Sequence, residues 1–238
     1  MILENSEILL TEPRGFCAGV ERAIEIVNRA VEIFDETIFV KHEVVHNKHV
    51  IEQLVKKGVI FVESLEAVPD QSILIYSAHG VSKEISELAT KKRLKVFDAT
   101  CPLVTKVHFE IHKFASQNID VVLVGHSGHP EVEGTMGQYI SEKGKIHLVE
   151  TKNDIDKLKI ENENIAYVTQ TTLSVDDTKS IVMLSISFSC NVYAHQDSHT
   201  AFLAIRQIYY DQWPSISDYG IYLNLLSDTV GSPIYLYL

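Results

Sequence analysis

The sequence predicts an α/β protein in which small parallel sheets are flanked by helices, followed by a tail of different character. Short apolar runs alternate with helix-like segments from residue 8 onward. Runs of this length, bounded by turn or polar residues, are typical of buried strands. Strands that alternate with helices form parallel sheets with helices packed on them.

Eight runs are predicted as strands: Ile8–Leu10, Thr37–Val40, Val59–Val62, Ile73–Tyr76, Leu94–Phe97, Asp120–Val124, Ile146–Val149 and Ile165–Val168. Helical spacing links apolar residues from Val20 to Phe34, and again from Val50 to Val55. Asn47 is the predicted N-cap of the second helix and Gly58 closes it. A break near Leu94 to Cys101 divides the alternating part into two units, residues 1–97 and 98–178.

Residues 179–238 form the tail. These 60 residues contain two basic residues, four aspartates and no glutamate, together with seven of the ten tyrosines and nine serines. The clear alternation of strands and helices is also lost. Two interpretations are open: a divergent third unit, or a tail that was replaced or read out of frame, which we favour. We therefore expect an irregular, non-standard tail that packs poorly on the first two units.

Composition excludes several classes of function. The 238 residues are 45% hydrophobic and 22% charged, with a formal net charge of -11. An acidic chain is a poor generic partner for nucleic acid or anionic membrane, since both require a basic face. The sequence shows neither an apolar run of about 18 residues nor an export signal, so we expect a cytoplasmic location. Three cysteines cannot form a complete disulfide framework, which favours a metal-binding or reactive role in a reducing compartment.

Two cysteines lie where predicted strands end. Cys17 stands in a glycine-flanked turn before a helix, and Cys101 follows the strand that ends near Phe97. A thiol at the start of a helix is favoured as the thiolate, which is the form that binds metals.

Other polar residues also follow predicted strands. In open parallel sheets, ligands bind beyond the carboxyl ends of the strands. The residues predicted to converge there with the two thiols are His46, His79, His129, Glu131 and Thr172. Histidines among glycines that allow close backbone approach suit an anionic ligand such as a phosphate.

Two histidine pairs have competing interpretations. His42-Glu43-Val44-Val45-His46 matches the H-E-x-x-H pattern of zinc hydrolases, with Glu66 as a candidate third ligand. That pattern requires a helix, whereas β-branched Val44 and Val45 after a strand favour a loop. His108 and His112 share a helix face at i, i+4 spacing, but they lie away from the strand ends.

Six motifs carry a resemblance to a known family. Residues 8 to about 178 resemble 4-hydroxy-3-methylbut-2-enyl diphosphate reductases, which act in the non-mevalonate pathway of isoprenoid biosynthesis. The motifs, in order, are PRGFCAGVERAI, KHEVVHN, SAHGVS, DATCPLVTKVH, GHPEVEGTMGQ and TQTTLSVDDT. The resemblance implies three α/β units around a 4Fe-4S cluster held by three cysteines, of which two units are evident here.

The resemblance also implies roles for individual residues. Cys17 and Cys101 would be cluster ligands, and His46, His79 and His129 would contact the diphosphate. Glu131 would be the proton source, with Thr172 as its hydrogen-bonding partner near the substrate hydroxyl. The implied reaction is a reductive dehydroxylation to isopentenyl and dimethylallyl diphosphates, with electrons from a ferredoxin or flavodoxin type donor. Thiolates suit an iron-sulfur cluster and a glutamic acid suits proton donation.

The tail departs from the family pattern. A Cys-Tyr-Ala-Thr-like segment, which carries the family's third cysteine, is missing from the sequence, and no Ser-x-Asn motif stands in a context that matches the family. Cys190 is the remaining candidate for a third ligand. Besides an active reductase, an inactive family member that retains partial diphosphate binding therefore stays open, as does the zinc hydrolase.

Overall fold

The computed structural model describes residues 14–160, 162, 164–174, 176, 178 and 181, together with the backbone of residues 191–195, 222–226 and 234–235. Its α-helices are α1 (Ala18–Ile33), α2 (Lys48–Lys56), α3 (Lys83–Lys91), α4 (Pro102–Ser116), α5 (Pro130–Met136) and α6 (Lys152–Ile155). A short 3-10 helix spans Leu65–Ala67. Side chains of Asn47 and Ser82 accept hydrogen bonds at the N-termini of α2 and α3, which fixes where these helices begin.

The first sheet contains four parallel strands. They are β1 (Ile38–Lys41), β2 (Ile60–Val62), β3 (Ile73–Tyr76) and β4 (Lys95–Asp98), in the order β2-β1-β3-β4. Each strand pairs in parallel with its neighbour. The carboxyl ends of these strands therefore meet at one edge of the sheet.

The second sheet contains strands of the second unit and of the tail. They are β5 (Asp120–Val124), β6 (Ile146–Val149), β7 (Asn164–Thr169), β8 (Asn191–His195), β9 (Tyr222–Leu226) and β10 (Ile234–Tyr235), in the order β10-β9-β8-β7-β5-β6. All pairs are parallel except β9 with β10, which is antiparallel.

Apolar residues of each sheet pack on both faces. In β1, Ile38 and Val40 join a core with α1 and α2, while Phe39 joins a core on the opposite face. In β7, Ile165 and Tyr167 face one core, and the intervening residues face the other. This alternation follows from the two-residue period of a strand, and it makes the strands rigid supports for the loops that follow them.

The strand predictions agree with the structure where both can be compared, with two differences. β4 is exposed along its length, with Val96 40% and Phe97 38% accessible, because it is an edge strand of its sheet. The tail contributes the backbone of β8, β9 and β10 to the second sheet, which the sequence analysis did not predict. The predicted strand Ile8–Leu10 lies outside the described residues.

Candidate active site

The loops after β1, β3 and β4 are joined by backbone hydrogen bonds at the carboxyl edge of the first sheet. The Ala78 amide donates to the carbonyl of Val44 at 3.4 Å, and the Cys101 amide donates to the carbonyl of Ala78 at 2.9 Å. These contacts continue the order of the parallel strands beyond their ends. The edge therefore carries His46, His79 and Cys101 on neighbouring loops.

The two predicted thiols lie side by side. Cys17 and Cys101 are the N-cap residues of α1 and α4, and neither side chain makes a capping hydrogen bond. A Cβ atom at Gly19 would lie 2.7 Å from Cys101 Sγ and 3.9 Å from Cys17 Sγ, so both sulfurs flank one point. Both cysteines are free. Neighbouring free thiols at helix N-termini fit part of the donor set of an iron-sulfur cluster. Cys190 lies outside the described residues.

Three predicted histidines form a compact trio across the two units. The ring centroids of His46 and His79 are 4.5 Å apart, and that of His129 lies 5.1 Å from His46 and 5.5 Å from His79. Nε2 of His46 lies 3.1 Å from Nε2 of His129. One ring nitrogen of each residue lies within 4.8 Å of the others, so the trio could surround a single ion.

The hydrogen bonding of His129 favours an anion over a metal ion. Its Nδ1 accepts a hydrogen bond from the backbone N–H of Glu131 at 3.2 Å. In a neutral ring Nδ1 is then the acceptor, and Nε2 carries the proton. A metal-binding histidine has the opposite arrangement, because its second nitrogen donates to a carboxylate or carbonyl group. His129 therefore presents an N–H donor to the space between the rings.

Two members of the trio, His79 and His129, are favoured in their neutral form. Burial, followed by the neighbouring His46, His129 and His42, lowers the pKa of His79 to about 3. Burial and the neighbouring His46 and His126 also lower the pKa of His129. An anion that enters the trio would favour the protonated form of His79, so its binding would be accompanied by proton uptake.

Glu131 is a buried acid next to the trio. Its side chain is 2% exposed, and burial raises its pKa, while hydrogen bonds from Thr171 oppose that rise. The Thr171 amide donates to Oε1 at 2.6 Å, and the Thr171 hydroxyl donates to Oε2 at 3.0 Å. The hydroxyl of Thr172, the partner that the resemblance implies, accepts a hydrogen bond from Gln170 in this structure. Adjacent threonines cannot be told apart from the sequence, since the backbone path after β7 decides which one faces the acid.

A known family matches the two units and the first part of the tail. The model of the LytB protein family matches residues 8–197, which is most of the chain. The chain belongs to the LytB family.

Curated relatives of this LytB chain are named 4-hydroxy-3-methylbut-2-enyl diphosphate reductase. The protein of Methylococcus capsulatus is 59% identical over 177 residues, which cover 74% of this chain and 56% of the relative. The protein of Nitrosomonas europaea is 58% identical over 176 residues, which cover 74% of this chain and 54% of the relative. The chain thus spans about half the length of the curated relatives it matches.

A solved structure from Plasmodium falciparum has a similar fold. It is an E-1-hydroxy-2-methyl-but-2-enyl-4-diphosphate reductase, and it is 37% identical with a TM-score of 0.68. The alignment covers 91% of this chain and 74% of that one. A second structure, of an (E)-4-hydroxy-3-methyl-but-2-enyl diphosphate reductase, is 29% identical with the same TM-score of 0.68 and covers 86% of this chain and 73% of that one. Both matches support the α/β architecture of parallel-sheet units.

Gln170 is a site residue of this LytB chain that the sequence analysis missed. It is 3% exposed, and its Oε1 accepts from the backbone N–H of His126 at 3.0 Å. Its Nε2 donates to the hydroxyl of Thr172 at 2.8 Å. Gln170 therefore ties the loop that leads to His129 to the loop after β7. Its position two residues after the predicted strand Ile165–Val168 was the available signal.

The structure also shows the surroundings of the two histidine pairs that had a competing metal-site interpretation. Residues 42–46 form a loop, so the helix required by the zinc hydrolase interpretation is not formed. His108 packs beneath Gly80, whose φ of 73° and close approach both require glycine. Burial, followed by the neighbouring His112, lowers the pKa of His108 to about 4. Within the described residues, no helix has the length and apolar character needed to cross a membrane.

Proposed function

We propose that this chain removes the hydroxyl group of 4-hydroxy-3-methylbut-2-enyl diphosphate by reduction and forms isopentenyl and dimethylallyl diphosphates. The substrate class is taken from the names of the relatives. One observation carries the proposal for this chain: the thiol pair, the histidine trio and a buried acid all lie beyond the carboxyl ends of strands in two adjacent sheets.

The diphosphate is assigned to the histidine trio. His129 presents Nε2–H as a donor because its Nδ1 is occupied by the Glu131 amide. His46 and His79 gain a favourable partner when they are protonated next to the anion. The hydroxyl of Thr172, which is exposed beside Gln170, is proposed as a further contact to the substrate.

The proton for the departing hydroxyl group is assigned to Glu131. Burial raises the pKa of this carboxyl group, which favours the acid form that can donate. Thr171 donates to both carboxyl oxygens, which fixes the direction of the acid, while burial is what favours its protonated form. Proton donation at this point lets the oxygen leave as water.

Cys17 and Cys101 are the residues that would hold a 4Fe-4S cluster, and Cys190 is the candidate for a third thiolate. Such a cluster, when bound, supplies electrons and a Lewis-acidic iron. The overall reaction consumes two electrons and two protons. The allylic C–O bond breaks, one proton leaves with the oxygen as water, and the other forms a C–H bond on the allylic carbon skeleton. We propose a ferredoxin or flavodoxin type protein as the electron donor.

A second candidate function is diphosphate binding without turnover. It is favoured by the donor set in the described residues, which supplies two thiols where the family pattern has three. The imidazole trio and Glu131 do not depend on those thiols for their hydrogen bonds.

Anaerobic reconstitution with iron and sulfide separates the two candidates. For the reductase we expect about four iron atoms per chain and the visible absorption of a cluster. Addition of a chemical reductant and the allylic diphosphate should then give both products. Calorimetry with inorganic pyrophosphate measures anion binding independently. Pyrophosphate binding without iron uptake would support the second candidate, and absence of both would overturn the proposal.

A further inference from the structure

Lys41 is a buried lysine that none of the roles above uses. It is the last residue of β1 and is 4% exposed, and it is the one lysine or arginine that is buried among the described residues. Its Nζ lies 2.5 Å from Nε2 of His42, whose Nδ1 lies 2.5 Å from a carboxylate oxygen of Glu63. The lysine therefore donates to the imidazole, and the imidazole donates to the carboxylate. His42 takes part with a φ of 61°, in the left-handed region that a histidine rarely adopts.

Lys41 faces a cavity between the two units. The cavity has a volume of about 290 Å³, and Lys41, His42 and Glu63 line it from the first unit. Glu133 and Gly134 of α5 line it from the second unit. Burial lowers the pKa of Lys41, and the carboxylates of Glu63 and Glu133 oppose that change. The lysine charge is thus stabilised by one carboxylate from each unit.

The helix that supplies Glu133 also carries the anion site. His129 is the N-cap residue of α5, and Glu131 lies in its first turn. On the side of the first unit, Gly134 packs at 3.4 Å from the backbone of Gly80, measured to the position of its absent Cβ. The side chain of Gln138, just after α5, donates to the carbonyl of Val81 at 2.7 Å. A small movement of α5 relative to β1 would therefore change the separation of the histidine rings.

We propose that Lys41 is a positioning residue, held by His42 and Glu63, whose attraction to Glu133 across the cavity ties α5 to the end of β1 and sets the distance between His46 and His129. The inference rests on the proposed function in taking the trio as the diphosphate site. It gives a role to His42, which the H-E-x-x-H pattern had singled out for a different one. The charge on the lysine matters because it attracts Glu133, and not because it touches the ligand.

Calorimetry with inorganic pyrophosphate tests the role on the full chain. We expect Lys41→Met to weaken the affinity about tenfold, a size typical of coupling between interacting groups. Lys41→Arg should retain most of the affinity, since it keeps the charge. Lys56→Met removes a charge from an exposed lysine of α2 and serves as the matched control, for which no change is expected.

The pH profile separates a charge effect from a merely structural one. The parent's affinity should fall as pH rises through the lowered pKa of Lys41, where its charge is lost. Glu133→Gln removes the carboxylate that the lysine attracts, so it should weaken the affinity as Lys41→Met does and should abolish this fall. Lys41→Arg should lack this fall, because arginine stays charged. Differences between variants in one buffer cancel the ionisation of pyrophosphate itself.

If the parent protein does not bind pyrophosphate, that result would count against the proposed function alone. A measurement without ligand then still tests the role of Lys41. The pKa of His129 is lowered in part by His46. Imidazole titration by NMR should therefore show the pKa of His129 moving back toward its ordinary value in Lys41→Met, and not in Lys56→Met. Parental titration of His129 in a folded Lys41→Met protein, or parental pyrophosphate affinity in that variant, would overturn the inference.

Discussion

The thiol pair and the acid next to the histidine trio occupy the same edge of the molecule but are held in different ways. Cys17 and Cys101 make no capping hydrogen bonds, and their separation is set by the backbone at Gly19. Glu131, by contrast, is buried and receives two hydrogen bonds from Thr171. The sulfurs are thus left available for a ligand, whereas the carboxyl group is already fixed by the protein.

This difference has a physical basis. A thiolate that is to bind iron needs its lone pairs free, so only close backbone packing can fix its position. A proton donor gains from a fixed direction and a low-polarity environment, and both come from burial and hydrogen bonding. The thiol pair and the buried acid should therefore respond separately to substitution.

The largest effect is expected for Cys101→Ser. Serine keeps the size of the side chain but replaces the thiolate that binds iron, so iron uptake and turnover should be lost. Pyrophosphate affinity should stay within about twofold, because the trio does not use the sulfur. An iron count and calorimetry on the same preparation check both parts. Retention of iron in this variant would mean that Cys101 is not a cluster ligand. Cys190→Ser tests the candidate third thiolate in the same way.

The next effect is expected for Glu131→Gln. The amide keeps the shape of the side chain but cannot donate a carboxylic proton, so turnover should fall by about 10² to 10⁴ fold. Iron content and pyrophosphate binding should be unchanged. A parental rate in this variant would mean that another group is the acid.

Thr171→Val sharpens the same prediction, because the hydroxyl of Thr171 lowers the pKa of Glu131. Its removal should raise that pKa, so the loss of activity at high pH should shift to higher pH. Thr172→Val is the matched control. Its activity should be lost at the same pH as in the parent, since the hydroxyl of Thr172 is bonded to Gln170. If only Thr172→Val shifted the pH at which activity is lost, Thr172 would be the partner of Glu131, as the resemblance implies.

The strands and helices were predictable because their buried apolar residues occur in regular runs and spacings along the sequence. The runs Ile73–Tyr76, Asp120–Val124 and Ile146–Val149 were predicted with the bounds that the structure shows. Each is a strand of a parallel sheet closed by a turn, so its apolar residues stop where the strand stops. The residues after such strands were predictable as a group, which is how the histidine trio was found.

Contacts between loops were less predictable. Lys41 has the sequence surroundings of a strand end, and nothing near it in the sequence indicates Glu133 across the cavity. The tail shows the same limit at a larger scale. The backbone of Asn191–His195 pairs in parallel with β7, but the sequence of the tail offers no clear periodic pattern from which that pairing could be predicted. Long-range contacts of this kind depend on the folded chain and leave no local period.

A smaller effect is expected for Gly19→Ala. The added Cβ would lie 2.7 Å from the Cys101 sulfur, which is too close for a real contact, so the thiol must shift. Overpacking of this kind costs about 1–3 kcal/mol of unfolding free energy, and iron binding should weaken rather than vanish. Ala18→Ser adds one atom at the preceding exposed position and is the control. Normal iron affinity in Gly19→Ala would show that the thiols do not depend on this close approach.

The last expected effect concerns stability alone, and it is a pH dependence that arises from His79. Its pKa is about 3 in the folded protein, because of burial and its histidine neighbours, against 6.5 for an unperturbed histidine. Between these values the unfolded chain binds the proton more readily, so the free energy of unfolding decreases as pH falls from about 6.5 toward 3. His79→Asn lacks this titration and should lose less stability over the same range, by on the order of a few kcal/mol at most. Chemical denaturation at several pH values measures the difference.

His108, with a pKa of about 4, titrates in both proteins and cancels in the comparison. His49→Asn, at an exposed position of α2, should follow the parent. If His79→Asn also followed the parent, the His79 ring would already be solvated in the folded state, and it could not be a neutral ring that takes up a proton when the anion binds.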